Sequence, residues 1–297
     1  MNFDAKKTAA AGLIVLGVCL VYWQVFLRLV DAWFVDDNYS HGFFIVPIAA
    51  YFVWERRTRL LGTVVRPTWF GLVVVAGGIL LLLTGLLGSE LFLSRISLLA
   101  TLAGIVLFLF GWLHLRILLF PLTFLLLMIP LPAILFNKIA FPLQLFASRA
   151  GELAISAVNI PVLREGNLLI LANTTLEVAE ACSGIRSLIS LLTLAIVYGY
   201  FADPRGWVRT VIALSTIPVA IIANAERVAG TGIAAHYWGP SVADGFLHEF
   251  SGWVVFVVAF GMTFGIQRLI VRIAPKRRAP AARSLGAVVP LSPSVKG

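Results

Sequence analysis

Residues 69–112 read WFGLVVVAGGILLLLTGLLGSELFLSRISLLATLAGIVLFLFGW. The stretch consists of two apolar runs, 69–88 and 93–112, separated by a short turn near Gly88 and Glu90. An apolar helix of about 20 residues is long enough to cross the roughly 30 Å hydrocarbon core of a bilayer. The stretch therefore predicts two consecutive transmembrane helices.

The composition of the whole chain extends this interpretation. Of 297 residues, 60% are hydrophobic and 12% are charged, and the mean hydropathy is +0.96. Soluble domains carry about 25% charged residues, so a water-facing surface of ordinary area is excluded. The net charge of +9 lies in short loops and the tail, which indicates the lipid bilayer as a partner and no nucleic acid.

Hydropathy predicts an all-α polytopic membrane protein with about eight transmembrane helices, of which the second is short for a full span. They form one domain, 1–273, followed by a basic tail, 274–297, which we expect to be disordered. The predicted spans are residues 8–30, 41–55, 69–88, 93–112, 116–136, 183–201, 207–230 and 249–271.

The charged residues orient these spans. With eight spans, most of the 23 Lys and Arg residues fall on the side of the termini, and most of the 14 Asp and Glu residues fall on the other side. Loops rich in Lys and Arg remain in the cytoplasm. We therefore expect both termini to be cytoplasmic.

The longest outer segment, 137–182, has structure of its own. Residues 138–158 have an apolar and a charged side, typical of an amphipathic helix in the membrane interface. The β-branched and Leu-rich runs that follow are divided by turns at 165–167 and 172–174. They predict a small extracytoplasmic β-hairpin or three-stranded element ending at Cys182.

Three polar residues fall at the outer ends of three predicted spans: Cys182, Arg227 and His248. Cys182 opens the sixth span, where the helix N-terminus favours a thiolate. Arg186, four residues later on the same face, could add to this effect. The alternative is that Cys182 is a small, inert residue at a helix start.

Arg227 lies near the end of the seventh span, where a charge needs a partner or a function. Asn224, three residues earlier, shares its helix face and could orient it. Alternatively, Arg227 reaches the headgroups or pairs with Glu226. His248 begins the eighth span and could act as a general base or acid, or could be an interfacial residue exposed to water.

The remaining His and Cys residues are weaker candidates for a catalytic role. His41 and His236 also lie on the outer side and are rival bases. His114 is cytoplasmic in this topology, and Cys19 is expected to face lipid or pack in the core. We find no nucleotide-binding fingerprint and no paired-Cys metal motif, so we expect no cofactor and no metal.

A Cys, a His and an Arg are sufficient for acyl transfer. A Cys182 thiolate would attack a peptide carbonyl, and His248 would carry the proton to the leaving amine. Arg227 would supply positive charge where the oxyanion develops.

At these same residues the chain resembles the exosortase/archaeosortase family. The resemblance rests on EACSGIRSL around Cys182, NAERV around Arg227, HEFSGW from His248 and YSHGFFIVPIAAYFVW over residues 39–54. It implies a membrane protein of eight helices whose catalytic set would be Cys182, Arg227 and His248. From their positions in the sequence, we expect Arg186, Asn224 and His41 to be supporting residues.

The resemblance also implies the substrates and the setting. These would be exported proteins anchored by a C-terminal signal: a Pro-Glu-Pro-type motif, a transmembrane helix and a basic tail. Cleavage would pass through a thioester at the outer face of a bacterial inner membrane, often in the context of exopolysaccharide production, and the product would pass to an amine acceptor or to water.

Two other classes of function remain open at this point. A transporter or polysaccharide-export component would carry polar residues near the bilayer midplane. A non-catalytic scaffold would leave Cys182, Arg227 and His248 far apart in space.

Overall fold

The computed structural model describes residues 5–178, 185–239 and 246–273. Cys182 and the predicted tail, 274–297, lie outside the described residues. The helices are α1 (Ala5–Val21), α2 (Trp23–Val35), α3 (Gly42–Glu55), α4 (Arg57–Gly62), α5 (Phe70–Leu87), α6 (Leu91–Phe110), α7 (Trp112–Phe124), α8 (Ala133–Ala157), α9 (Ile185–Ala202), α10 (Gly206–Trp238) and α11 (Phe246–Ile273). Two short 3-10 helices, Asp37–Tyr39 and Leu125–Met128, and three strands, β1 (Val162–Glu165), β2 (Leu168–Leu171) and β3 (Thr175–Glu177), complete the described part.

Within the described residues, five helices are long and apolar enough to cross a membrane: α5, α6, α9, α10 and the Gly252–Ile273 part of α11. Two bent helix pairs pass the same test when each pair is taken as one span, which gives up to seven. The predicted number of eight is not confirmed. The predicted span 41–55 corresponds to α3, whose 14 residues rise only about 21 Å, less than the roughly 30 Å of the hydrocarbon core.

The prediction of one continuous helix over residues 8–30 is wrong, because the chain bends by 63° between α1 and α2. The bend lies at Tyr22, whose backbone leaves the helical region (φ −99°, ψ 9°). The Tyr22 side chain is fully buried, and its hydroxyl lies 2.7 Å from Oγ1 of Thr101 on α6. A tertiary hydrogen bond of this kind leaves no mark on hydropathy, so an apolar run cannot predict the bend.

A second break, of 78°, separates the α7 segment from α8. Pro130 and Pro132 lie in the break; proline donates no backbone hydrogen bond and disfavours the helical conformation of the residue before it. The predicted span 116–136 is therefore too long at its end, because α-helical structure stops at Phe124 and four residues of 3-10 helix follow.

The predicted amphipathic helix, 138–158, is confirmed as a helix but begins earlier, at Ala133. It buries one face, which includes Ala140, Ala147 and Ile155. Its position in a membrane interface stays a prediction.

The predicted three-stranded element is confirmed. Strands β1, β2 and β3 form an antiparallel sheet in sequence order, and Glu165 pairs with Leu168 across a two-residue turn. Gly166 in this turn has φ +64°, a conformation that glycine adopts without steric cost. The sheet buries Leu169 and Leu171 in a cluster with Ile155 of α8 and Val228 of α10.

The seventh predicted span, 207–230, ends too early. Helix α10 has 33 residues, a rise of about 50 Å, and its last two turns lie in the predicted loop 231–248. Two contacts explain the extension. Nδ2 of Asn173, in the turn between β2 and β3, donates to the carbonyl of Ala235 at 3.2 Å. Gly232 lets Ile155 of α8 approach the backbone of α10, because a Cβ at Gly232 would lie 2.4 Å from Ile155.

Helices α5 and α6, which correspond to the apolar runs 69–88 and 93–112, pack closely through glycines seven residues apart. Gly71, Gly78 and Gly85 face α6, where added Cβ atoms would lie 2.2–2.5 Å from its nearest atoms. Small residues allow such close helix packing in a bilayer, where dispersion and interhelical hydrogen bonds replace the hydrophobic effect.

Candidate active site

Arg227 lies on α10 where this helix meets the beginning of α11. Its side chain is partly buried, and its guanidinium faces Gly252: a Cβ at Gly252 would lie 3.7 Å from Cζ and Nη2 of Arg227. A Cβ at that distance would be in ordinary van der Waals contact, so the guanidinium lies beside the backbone of α11 with room for a methyl group between them. The structure thus fixes where the positive charge of Arg227 is presented.

His248 is in the first turn of α11, and its side chain lies outside the described part of the structure. It precedes Gly252 by four residues, which is about one helical turn, or 6 Å along the axis. The backbone of α11 therefore brings the predicted acid–base residue to within one turn of the surface that Arg227 contacts.

Asn224 is buried on α10, with 5% of its surface exposed. It precedes Arg227 by three residues and therefore shares its helix face. The shared face and the burial agree with the predicted supporting position of Asn224, whose role stays a prediction.

Arg186 lies in the first described turn of α9, four residues after Cys182. Its Nη2 forms an ion pair of 3.2 Å with Oδ2 of Asp37, and both side chains are substantially exposed. Sequence reasoning missed Asp37, whose carboxylate offsets part of the positive charge that Arg186 was expected to offer to a thiolate. The pair joins the segment before α3 to the beginning of α9.

His41 follows Asp37 in the same segment, and the structure shows how that segment is held. Nε2 of His41 lies 3.1 Å from the carbonyl of Leu127, so the imidazole donates this bond and keeps its lone pair on Nδ1. Burial lowers the pKa of His41, against the opposing effect of the Leu127 and Asn38 backbone groups. The ring is therefore neutral near pH 7, with one of its two nitrogens engaged.

Two further side chains, Trp33 near the end of α2 and Tyr39 in the segment of His41, also bond to the break between α7 and α8. Nε1 of Trp33 donates to the carbonyl of Met128 at 2.9 Å, and the backbone N–H of Leu131 donates to the Tyr39 hydroxyl at 3.0 Å. A broken helix leaves backbone groups without helical partners, and these side chains, with His41, satisfy three of them. We therefore interpret His41 as a residue that anchors the segment carrying Asp37.

The other His and Cys residues considered from the sequence lie elsewhere in the fold. His236 lies near the end of α10, where its carbonyl accepts from Asn173 at 3.4 Å. His114 is buried near the start of α7, at the end of α6 opposite Glu90. Cys19 is exposed on α1, as expected for a lipid-facing residue. No cluster of three or more metal-binding side chains occurs among the described residues.

The described part of the site is thus built from four chain segments. Helix α10 presents a guanidinium, and α11 presents the turn between His248 and Gly252. The segment before α3 and the beginning of α9 contribute the Asp37–Arg186 pair. A fixed cation beside a helix that carries a histidine suits a reaction in which negative charge develops on an oxygen.

Comparison with known proteins gives one result. A family model described as transmembrane exosortase matches residues 33–265, a range that contains Cys182, Arg227 and His248. Among curated proteins and solved structures, none matches the chain significantly. Since the family match covers most of the chain, this protein belongs to the transmembrane exosortase family.

Proposed function

We propose that this protein is a cysteine transpeptidase or protease that cleaves C-terminal sorting signals of exported proteins at the outer face of a bacterial inner membrane. Membership of a family of sorting-signal transpeptidases gives the general class of activity. The observation that carries the assignment to this site is the guanidinium of Arg227 against Gly252, one turn from His248.

The reaction begins at sulfur. The Cys182 thiolate attacks the carbonyl carbon of the scissile peptide bond, and the carbonyl oxygen becomes an oxyanion. Arg227 stabilises this charge, a contribution of about 3 kcal/mol in comparable sites. His248 transfers a proton to the nitrogen of the departing amine, the C–N bond breaks, and a thioester remains on Cys182.

The second half of the reaction releases the enzyme. An amine acceptor or a water molecule attacks the thioester carbonyl, and His248 accepts the proton that the nucleophile loses. The C–S bond breaks, and the thiolate is restored. An amine gives a new amide bond, whereas water gives a free carboxylate.

The charge distribution supports the orientation of this site. Arg56 lies just after α3 and stacks over the ring of Tyr200 at 5.1 Å, and Nη2 of Arg209, in the first turn of α10, donates to the carbonyl of Tyr200 at 2.9 Å. These basic residues gather at one end of the helices, and the sheet lies at the other end of α10. Basic residues mark the cytoplasmic side, so we propose that Arg227 and the sheet lie outside.

The substrate geometry agrees with this placement. A protein anchored by its own C-terminal helix presents its cleavage motif just outside the bilayer. A site where the outer part of α10 meets the beginning of α11 would meet that motif without moving either partner out of the membrane. The Pro-Glu-Pro-type motif is our proposal for the sequence that is cleaved.

The test is co-expression of this protein with an exported protein that carries such a signal. We expect Cys182→Ala to abolish processing while the protein still accumulates in the membrane, and we expect a Cys182 thioester to be trapped by mass spectrometry in the wild type. Cys19→Ala is the matched control, since the chain has only 2 cysteines, and should process normally. Normal processing by Cys182→Ala would exclude the mechanism.

A further inference from the structure

Arg95 is a buried cation that the proposed chemistry does not use. It lies in the second turn of α6 with only 6% of its surface exposed. Its Nη2 donates to the backbone carbonyl of Arg28 on α2 at 3.1 Å, but its buried Nε has no hydrogen-bond partner among the described residues. A buried donor without an acceptor is costly, and a charge at this depth normally has a counter-ion.

A second guanidinium lies beside the first. Arg28 is exposed on α2, and its charge is close enough to Arg95 to repel it. Among the described residues, no carboxylate lies within 4.0 Å of either guanidinium, although Asp31 and Glu90 are near in sequence. The two charges together therefore form a site for an anion that the described part of the chain does not supply.

A cleft leads to both groups. It is small and partly open, and it lies between α2, the end of α5 and the beginning of α6. Gln24 lies on the α2 side, whereas Leu86 and Leu91 form an apolar edge. Both leucines are exposed, at 44% and 38%, and nearly all of the accessible surface of the cleft is apolar, so the cleft suits hydrocarbon.

The depth of the cleft also favours a lipid. Arg28 is seven residues before the end of α2, and Arg95 is four residues after the beginning of α6, so both lie within about 10 Å of the helix ends. Phosphate groups of a bilayer lie just beyond the hydrocarbon core. A guanidinium binds phosphate oxygens through paired N–H donors.

We propose that Arg28 and Arg95 bind the phosphodiester headgroup of an anionic phospholipid, whose acyl chains lie along Leu86 and Leu91. The phosphate accepts from the exposed Arg28 guanidinium, the buried charge of Arg95 beside it adds to the attraction, and Gln24 contacts the headgroup. A free phosphate ion would match the charges but would leave the apolar edge uncovered.

The test is native mass spectrometry of the full-length protein, purified in detergent, with phosphatidylglycerol as the probe. We expect Arg28→Gln to weaken phosphatidylglycerol binding about tenfold, because one of two charged partners is lost, and Arg95→Gln to remove the bound lipid. Arg149→Gln, which removes an exposed charge from α8, is the matched control and should bind as the wild type does.

Arg28→Gln keeps the experiment decisive if Arg95→Gln does not accumulate, since Arg28 is exposed and its backbone carbonyl is unchanged by the substitution. Equal phosphatidylglycerol affinity of the wild type and Arg28→Gln would overturn the proposal. Displacement of the lipid by millimolar inorganic phosphate would overturn it as well, because it would identify a site for the free ion. Retention of the lipid in phosphate buffer is the expected result.

Discussion

The position of the Arg227 guanidinium can be tested without changing Arg227. A Cβ at Gly252 would lie 3.7 Å from Cζ and Nη2 of Arg227 and 4.0 Å from Nη1, which is ordinary van der Waals contact. Gly252→Ala should therefore leave the guanidinium in place, and processing of a sorting-signal substrate should remain within about twofold of the wild-type rate.

Gly252→Val should behave differently. Its γ-carbons extend about 1.5 Å beyond Cβ and would come within about 2.5 Å of the guanidinium, well inside the optimal contact of roughly 3.5–4.0 Å. The guanidinium must then move by about 1 Å or more. Misplacement of a catalytic group by that distance costs about 10²-fold in rate, equivalent to about 2.7 kcal/mol.

The assay is the rate of substrate processing after co-expression, divided by the amount of each variant in the membrane. Arg227→Ala sets the lower limit, and Gly252→Ala shows that loss of the glycine alone is harmless. Wild-type processing by a Gly252→Val protein that accumulates normally would refute the reasoning, because it would mean that the location of the guanidinium is irrelevant. Equal defects in the Ala and Val variants would refute the steric argument.

Three further outcomes are expected. Tyr22→Phe removes the hydrogen bond to α6 and should destabilise the protein by about 1 kcal/mol, seen as a lower midpoint of thermal unfolding. An unchanged midpoint would show that this hydrogen bond does not stabilise the bend between α1 and α2. Asp37→Asn removes the partner of Arg186 and should change the free energy of unfolding by less than about 1 kcal/mol, because the pair is exposed. It should also lower the pH at which maleimide labels Cys182, because the charge of Arg186 is no longer offset. An unchanged labelling profile would show that Arg186 does not act on the thiol. Burial lowers the pKa of His41 in the folded protein, so protonation favours the unfolded state and stability should rise as the pH increases through about 6.5. His41→Gln should reduce this pH dependence of the thermal unfolding midpoint. An equal pH dependence in the variant would assign it to other groups.

The agreement between sequence and structure is best where hydropathy alone determines a helix. The runs 69–88 and 93–112 correspond to α5 and α6 within two residues, because a long apolar stretch bounded by polar residues has few alternatives in a bilayer. The sheet was also predictable, since its turns carry Gly166 and Asn173 between β-branched and Leu-rich runs.

The breaks at Tyr22 and after Met128 were not predictable from hydropathy. Each depends on hydrogen bonds between residues far apart in the chain, such as Tyr22 with Thr101 and Trp33 with Met128. Pro130 and Pro132 were a local signal for the second break, but proline also occurs inside helices α3 and α10 of this protein. The end of α10 was missed because its last turns are stabilised by the sheet rather than by lipid.

The residue types of the candidate site stay a prediction from the sequence, and the sequence indicates only part of the geometry around them. Depth in the membrane placed Arg227 and His248 at the same level, and the structure adds that Arg227 faces Gly252. Nothing in the sequence pairs Asp37 with Arg186, because the two residues are 149 positions apart and only tertiary packing brings them into contact.

Helix α10 connects Arg227 to the turn between β2 and β3. Ala235, which accepts from the turn residue Asn173, is eight residues from Arg227, about 12 Å along an unbroken helix. In the proposed mechanism, a polypeptide that presses on this turn would tilt the helix and shift the guanidinium. Substrate docking on the sheet and charge stabilisation by Arg227 would therefore be mechanically coupled.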